Sequence, residues 1–322
     1  MTKRTFKFAG IAATAVVTAL VLSACGGQTT EAGTDAEGGL TGAVVADGSS
    51  TVAPLTEAAA DAFRDVEAGI NVTVATSGTG GGFAAFCAGE TDLSNASRPI
   101  KDEEAALCAE AGIEFTEIVM ANDGLSVIVP LENDWAECLT VEQLATMWGP
   151  ASEGTVTSWN QIDASFPDVP LALFGAGTDS GTFDYFTDAI NGEEGAIRTD
   201  YSPSEDDNIT IQGVTGESGG VGFLGLSYVA ENADVLRAVA IDGGAGCVEA
   251  TVETVQDGSY TPLSRPLFVY VKNTSYQENA AVKAFVDYYV ENAAAIAEAA
   301  IFVPLTDEQI AVAAEELASL AV

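Results

Sequence analysis

The chain has 322 residues, of which 48 are acidic, 11 are Lys or Arg and none is histidine, giving a net charge of −37 at pH 7. The lack of histidine excludes a Ser-His-Asp triad and mixed cysteine–histidine metal ligation. So acidic a surface repels nucleic acid and anionic lipid, which makes both poor partners.

Lys3, Arg4 and Lys7 open the chain, an apolar run follows from Ile11 to Leu22, and Leu22-Ser23-Ala24-Cys25 ends it. Residues 1–24 read as a secretory signal, too short for a comfortable membrane span. The cysteine after Leu-Ser-Ala resembles the bacterial lipobox, in which the signal is cut and Cys25 takes a lipid. The competing reading is an ordinary cleaved signal with a chance cysteine. Residues 25–42, rich in Gly, Thr, Ala and acidic side chains, read as a flexible tether. Cleavage removes three basic residues and leaves eight Lys and Arg against 48 acidic ones, a net charge of −40. Distant charge is screened beyond about 10 Å at 0.1 M salt, so an anion site here must be built from local donors.

Beyond the tether, short apolar runs alternate with helical patterns. Strands are predicted at Ala43 to Ala46 and Val72 to Ala75, with an Ala-rich helix from Val52 to Phe63 between them. A helix through Phe83 and Phe86 comes next, then one from Asp102 to Ala111 that Gly112 stops. Ile113 to Met120 and Leu125 to Val129 read as two strands, Val141 to Trp148 as a helix, and Leu171 to Phe174 and Val269 to Val271 as further strands. The tail from Asn279 holds two helices, broken at Pro304 and restarted at Thr306 with Gln309 three residues on, a capping-box pattern. Alternation of this kind predicts an α/β protein with largely parallel sheets.

Three Gly/Ser/Thr turns lie between a predicted strand and a helix: Gly48-Ser49-Ser50-Thr51, Ser77 to Gly82, and Thr178 to Thr182. In open α/β sheets, ligands sit beyond the carboxyl ends of strands, where helix N-termini present N–H donors. Three such turns converging would form a nest of donors around one small anion. None has the Gly-Lys-Ser/Thr ending of a nucleotide phosphate loop. Ser180 could instead be a nucleophile, but the nearest lysines in sequence, Lys101 and Lys272, are remote; a plain helix cap is the third reading. Within the segment Thr91 to Ile100, Arg98 stands at the end of an apparent strand and just before a helix, and its planar fork suits a tetrahedral oxyanion; the alternative is a surface salt bridge with Asp102 or Glu103. After Cys25, Cys87, Cys108, Cys138 and Cys247 suggest two disulfides with three possible connectivities. The acidic run Glu205-Asp206-Asp207 reads as a solvated loop and not as a metal cluster.

These turns, Asn95-Ala96-Ser97-Arg98-Pro99-Ile100, Asp123 to Val127 and Pro262-Leu263-Ser264-Arg265-Pro266-Leu267-Phe268 occur in one order, and over roughly residues 43 to 320 they resemble the phosphate-binding lipoprotein of high-affinity phosphate ABC transporters (PstS-type). The stretch Gly177 to Phe186 is the most specific part of the resemblance. It implies a two-lobed, type II periplasmic-binding-protein fold, α/β in class, with the ligand in a cleft between lobes joined by two crossing strands near Asn122 to Val127 and Ser264 to Val269. Lobe one would comprise residues 43–123 plus 267–322, and lobe two residues 124–266. That division puts Cys87 with Cys108 and Cys138 with Cys247.

Carried over by position, the resemblance places Ser50, Thr51, Thr79, Ser180, Gly181 and Thr182 on the anion. The chain departs from the best-studied members at two points: Ala176 stands where they have an arginine, and Ser97-Arg98 where they have a carboxylate that accepts the ligand proton. The expectation is that Arg98 supplies the displaced guanidinium, with Ser97 beside it, and that Asp179 or Asp47 accepts the proton. The implied function is capture of inorganic phosphate and delivery to an ABC transporter permease by a monomeric lipoprotein at the outer face of the cytoplasmic membrane, with no catalysis, metal or cofactor. The alternatives are a binding protein for another oxyanion such as sulfate, or an exported phosphoester hydrolase.

Overall fold

The computed structural model describes residues 33–34, 39–178, 180–204 and 206–320. The signal, Cys25 and Asp179 fall outside these residues. Within the expected tether, Gly33–Thr34 pairs antiparallel with Thr41 and Leu40, and the first long strand starts at Leu40, ahead of the predicted start at Ala43.

Two strands organise the molecule, Phe115–Pro130 and Ser264–Lys272. They pair antiparallel from Ser264 opposite Gly124 to Lys272 opposite Phe115, with a register shift between Leu267 and Phe268. On one side, Ser264–Lys272 pairs antiparallel with Leu93–Ala96, which is parallel to Leu40–Gly48, itself parallel to Ile70–Val74. On the other, the far half of Phe115–Pro130 pairs antiparallel with Gly220–Gly225, which is parallel to Ala172–Ala176 and through it to Ser202–Ser204. Among the described residues, one mixed ten-stranded sheet thus runs through both lobes. Apart from the antiparallel pairings of Gly33–Thr34 and Leu236–Ala238, the outer strands are parallel as predicted, and the crossing strands make the centre antiparallel.

The apolar core parts along these two strands. Ile118, Met120, Ala121 and Leu267 pack with Val44, Leu55, Phe63 and the C-terminal helix residues Phe285 and Tyr289. Leu125, Val127 and Leu263 pack with Trp148, Trp159, Phe186 and Phe223. Residues Asn122 to Gly124 lie between the two cores. They continue the strand instead of breaking it, so the two strands expected at 113–120 and 125–129 are one. Val303, whose side chain is buried in the second core, exchanges backbone hydrogen bonds with Asn122 at 2.9 and 3.0 Å. The final helix, Asp307–Leu320, starts with the expected capping box: Gln309 N donates to Thr306 Oγ1 at 3.2 Å, and Thr306 N to Gln309 Oε1 at 2.9 Å.

Both disulfides form as expected, Cys87 with Cys108 and Cys138 with Cys247, each on one side of the crossing strands. Asp206, from the acidic run, caps the helix Asp207–Gly216 by accepting the Asn208 N–H at 2.9 Å; Glu205 lies outside the described residues. Among the described residues no helix is long and apolar enough to cross a membrane.

Candidate functional site

The first turn is built by a close approach. Gly48 has φ +142°, and a side-chain carbon on it would fall 2.1 Å from the Asn95 carbonyl oxygen, so only glycine fits. Ser49 N then donates to that carbonyl at 2.9 Å. The helix Gly78–Cys87 sits directly on this turn, with a carbon on Gly82 falling 2.4 Å from Gly48 Cα. Asp47 ties the two turns together, its Oδ1 accepting from Gly48 N at 2.7 Å and Ser77 N at 3.0 Å. Thr79, in the first turn of that helix, meets Ser97: their hydroxyls are 3.1 Å apart, and Ser97 N donates to Thr79 Oγ1 at 3.3 Å. Both residues are buried.

The third turn arrives from the other lobe. Ser180 caps the helix Gly181–Asn191, and its Oγ accepts the Thr182 N–H at 3.2 Å. Capping does not exhaust the hydroxyl, which keeps its own proton to donate. Gly181 backs onto Thr51 so closely that a side-chain carbon would lie 2.2 Å from Thr51 Oγ1 and 2.5 Å from its N and Cα. One turn further on, Asp184 Oδ2 accepts from the Ser50 hydroxyl at 3.5 Å. The structure therefore joins Ser50 and Thr51 to Gly181 and its helix at one seam, and Thr79 to Ser97 beside it.

Two arginines face a cavity of about 340 Å³ whose lining includes Ser97, Arg98, Tyr185, Glu194 and Arg265. Arg98 is held by its own lobe: Nη1 and Nη2 each donate to a Glu104 oxygen at 2.8 Å. The pairing arises because Glu104 turns back at the start of its helix, also accepting Lys101 N at 2.9 Å. Burial pushes the Glu104 carboxyl up, but the hydrogen bonds from Arg98 and Lys101 outweigh it, and the group is held below the usual range. A salt bridge of the kind weighed for Arg98 thus forms, one residue beyond Glu103. Arg265 belongs to the Pro262–Phe268 motif, which by itself assigns it no role. Its Nη2 donates to Thr51 Oγ1 at 3.1 Å, its Nη1 to the Ser97 carbonyl at 3.3 Å and its Nε to Asp123 Oδ2 at 3.3 Å. Its guanidinium carbon lies 3.6 Å from the Tyr185 ring centre.

Residues 28–293 match the PBP superfamily domain. The chain is 45% identical over 265 residues to Protein SphX of Synechocystis, covering 82% of this chain and 79% of that protein. It is 36% identical over 294 residues to the phosphate-binding protein PstS of Staphylococcus saprophyticus, covering 91% and 88%. A crystal structure of a possible phosphate-binding protein from Planctomyces limnophilus superposes with a TM-score of 0.82 at 41% identity, covering 87% of this chain and 99% of that one. The chain belongs to the PstS-type family of periplasmic phosphate-binding proteins.

Asp47 is engaged by the backbone of the first two turns, and Asp179 is outside the described residues. Two other acids, to which the sequence assigns no role as proton acceptor, touch the site residues: Asp123 accepts from Arg265 and Asp184 from Ser50. Burial pushes the Asp123 carboxyl above its usual range, with Arg265 opposing. Burial also raises Asp184, opposed by the Ser50 hydrogen bond and by Arg265. The signal in the sequence that points to Arg265 is scarcity: eight cations remain after the signal peptide is removed, and this one lies inside a family motif.

Proposed function

We propose that this chain captures inorganic phosphate outside the cytoplasm and delivers it to an ABC transporter permease, without catalysing a reaction. The observation that carries the reading is the seam at which the first turn, from one lobe, meets the third, from the other: Thr51 lies against Gly181 at the head of a helix. Ser50, Thr51, Thr79, Ser97, Ser180, Gly181 and Thr182 form the ligand cradle, in which hydroxyls and N–H groups replace net positive charge. Lys272, one of the two lysines nearest Ser180 in sequence, donates instead to the carbonyls of Gly89 and Thr91 at 3.3 and 2.9 Å. Lobe one comprises residues 43–123 and 267–322, and lobe two residues 124–266. The mature chain is a monomer anchored by a lipid on Cys25; Cys25→Ala should move it from the membrane fraction to the soluble one.

Calorimetric titration of the mature protein tests the reading. Phosphate should saturate one site per chain, and sulfate at the same concentration should bind far more weakly. Equal or tighter sulfate binding would overturn it.

A further inference from the structure

We infer that Arg265, and not Arg98, is the principal cation on the ligand, an inference that rests on the phosphate-binding reading above. Of the eight basic residues that follow the signal, Arg98 and Arg265 are the two that line the cavity beside Ser97. Each makes three hydrogen bonds, Arg98 donating also to the Pro99 carbonyl at 3.1 Å, so they differ in how strongly their donors are held. Arg98 makes two bonds of 2.8 Å to one carboxylate, the length of a fully formed charge-assisted pair. Arg265 makes bonds of 3.1 to 3.3 Å, and two of the three go to uncharged oxygens. A phosphate oxygen can displace such contacts at little loss, and each terminal nitrogen carries a second N–H.

Position points the same way. Arg265 touches Thr51 of the first turn, the Ser97 carbonyl and Asp123 of the crossing strand, while Tyr185, on the helix that Ser180 caps, covers its face. Its side chain is 16% exposed, against 32% for Arg98. A charge this shielded acts on a ligand with less screening by solvent. Asp123 orients the guanidinium through Nε and leaves both terminal nitrogens directed at the cradle residues Thr51 and Ser97.

Titration of inorganic phosphate into single variants of the mature chain tests this, with circular dichroism to verify folding. Arg265→Ala should weaken phosphate binding by about a hundredfold or more, and Arg98→Ala by about tenfold or less. Arg265→Lys keeps the charge but not the fork, and should still lose about tenfold; it decides the matter if the alanine variant does not fold. Wild-type affinity in Arg265→Lys, or a larger loss in Arg98→Ala than in either Arg265 variant, would overturn the inference. Failure of the wild type to bind phosphate would instead overturn the functional reading.

Discussion

The Ser97–Ile100 turn and the hinge at Ser264–Pro266 each present one arginine to the same cavity, and the two are held in different ways. Arg98 is paired six residues along the chain, to a carboxylate on the next helix of its own lobe. Arg265 is held by residues from four separate segments, Thr51, Ser97, Asp123 and Tyr185. A local pair persists whether or not the lobes close. A charge supported from several segments reports on the arrangement of all of them. In so acidic a chain, where a cation stands therefore matters more than that it is there.

The largest effect should come from preventing the seam on which the hinge site depends. In Gly181→Val, the added carbons would overlap the Thr51 backbone, so the lobes cannot meet. Phosphate affinity should fall by about a thousandfold, roughly 4 kcal/mol, and the rise in melting temperature on adding phosphate should largely vanish. Titration and thermal unfolding with and without phosphate measure both. Near-normal affinity would show that the seam is not part of the bound state.

The second test compares the stability each arginine lends. Arg265→Ala strands Asp123, a buried carboxylate, and should lose about 3 kcal/mol at pH 7 in urea unfolding, whereas Arg98→Ala should lose less than about 1 kcal/mol. The pH sign follows from the raised Asp123 carboxyl. A group raised in the folded state favours folding below its unfolded value, and that contribution is lost as pH rises through the folded value. Without Arg265 to oppose burial, that loss deepens at neutral pH and is relieved once Asp123 takes up its proton. The Arg265→Ala deficit should therefore shrink on acidification. A deficit independent of pH would indicate lost packing in place of a stranded charge.

Much of the fold is legible in the sequence because its signals are local. The turns, the helix starts and the Thr306 capping box each depend on neighbours within a few residues, and the partner of Arg98 lies only one residue beyond the expected Glu103. The rest is non-local. Asn122 and Asp123 read as a polar break between two strands, yet both are buried in one continuous strand. Their partners are Gln309 and Arg265, 187 and 142 residues away, which no local pattern reveals. The contacts of Arg265 are hidden from the sequence for the same reason.

Ser180→Ala probes the third turn, whose Gly181 lies against Thr51, a partner of Arg265. It removes a helix cap and a ligand donor together, so two readouts should move. Stability should fall by about 1 kcal/mol, and phosphate binding should weaken by about 1–3 kcal/mol. If Ser180 is a donor, serine-directed phosphonates should leave the wild-type protein unlabelled. Labelling at Ser180 with ester turnover would restore the hydrolase.

The smallest effect isolates the local pair. Glu104→Gln removes the carboxylate that holds Arg98 and should lower stability by about 0.5–1 kcal/mol at pH 7, discounted because the arginine side chain is 32% exposed. Glu104 is linked to pH with the opposite sign to Asp123. Its carboxyl is held below the usual range in the folded protein, so its contribution is present above the unfolded value, about 4.3, and is lost as pH falls through the folded one. The gap between wild type and Glu104→Gln should therefore close only in strong acid, and it should also narrow with added salt, as expected for a partly exposed pair. Urea unfolding at several pH values measures the gap directly. Because Arg98 is then released toward the cavity, phosphate affinity in this variant is informative as well: a gain of less than about threefold fits a hinge-centred site, whereas a gain of about tenfold or more would mean that Glu104 had been masking the ligand's principal cation.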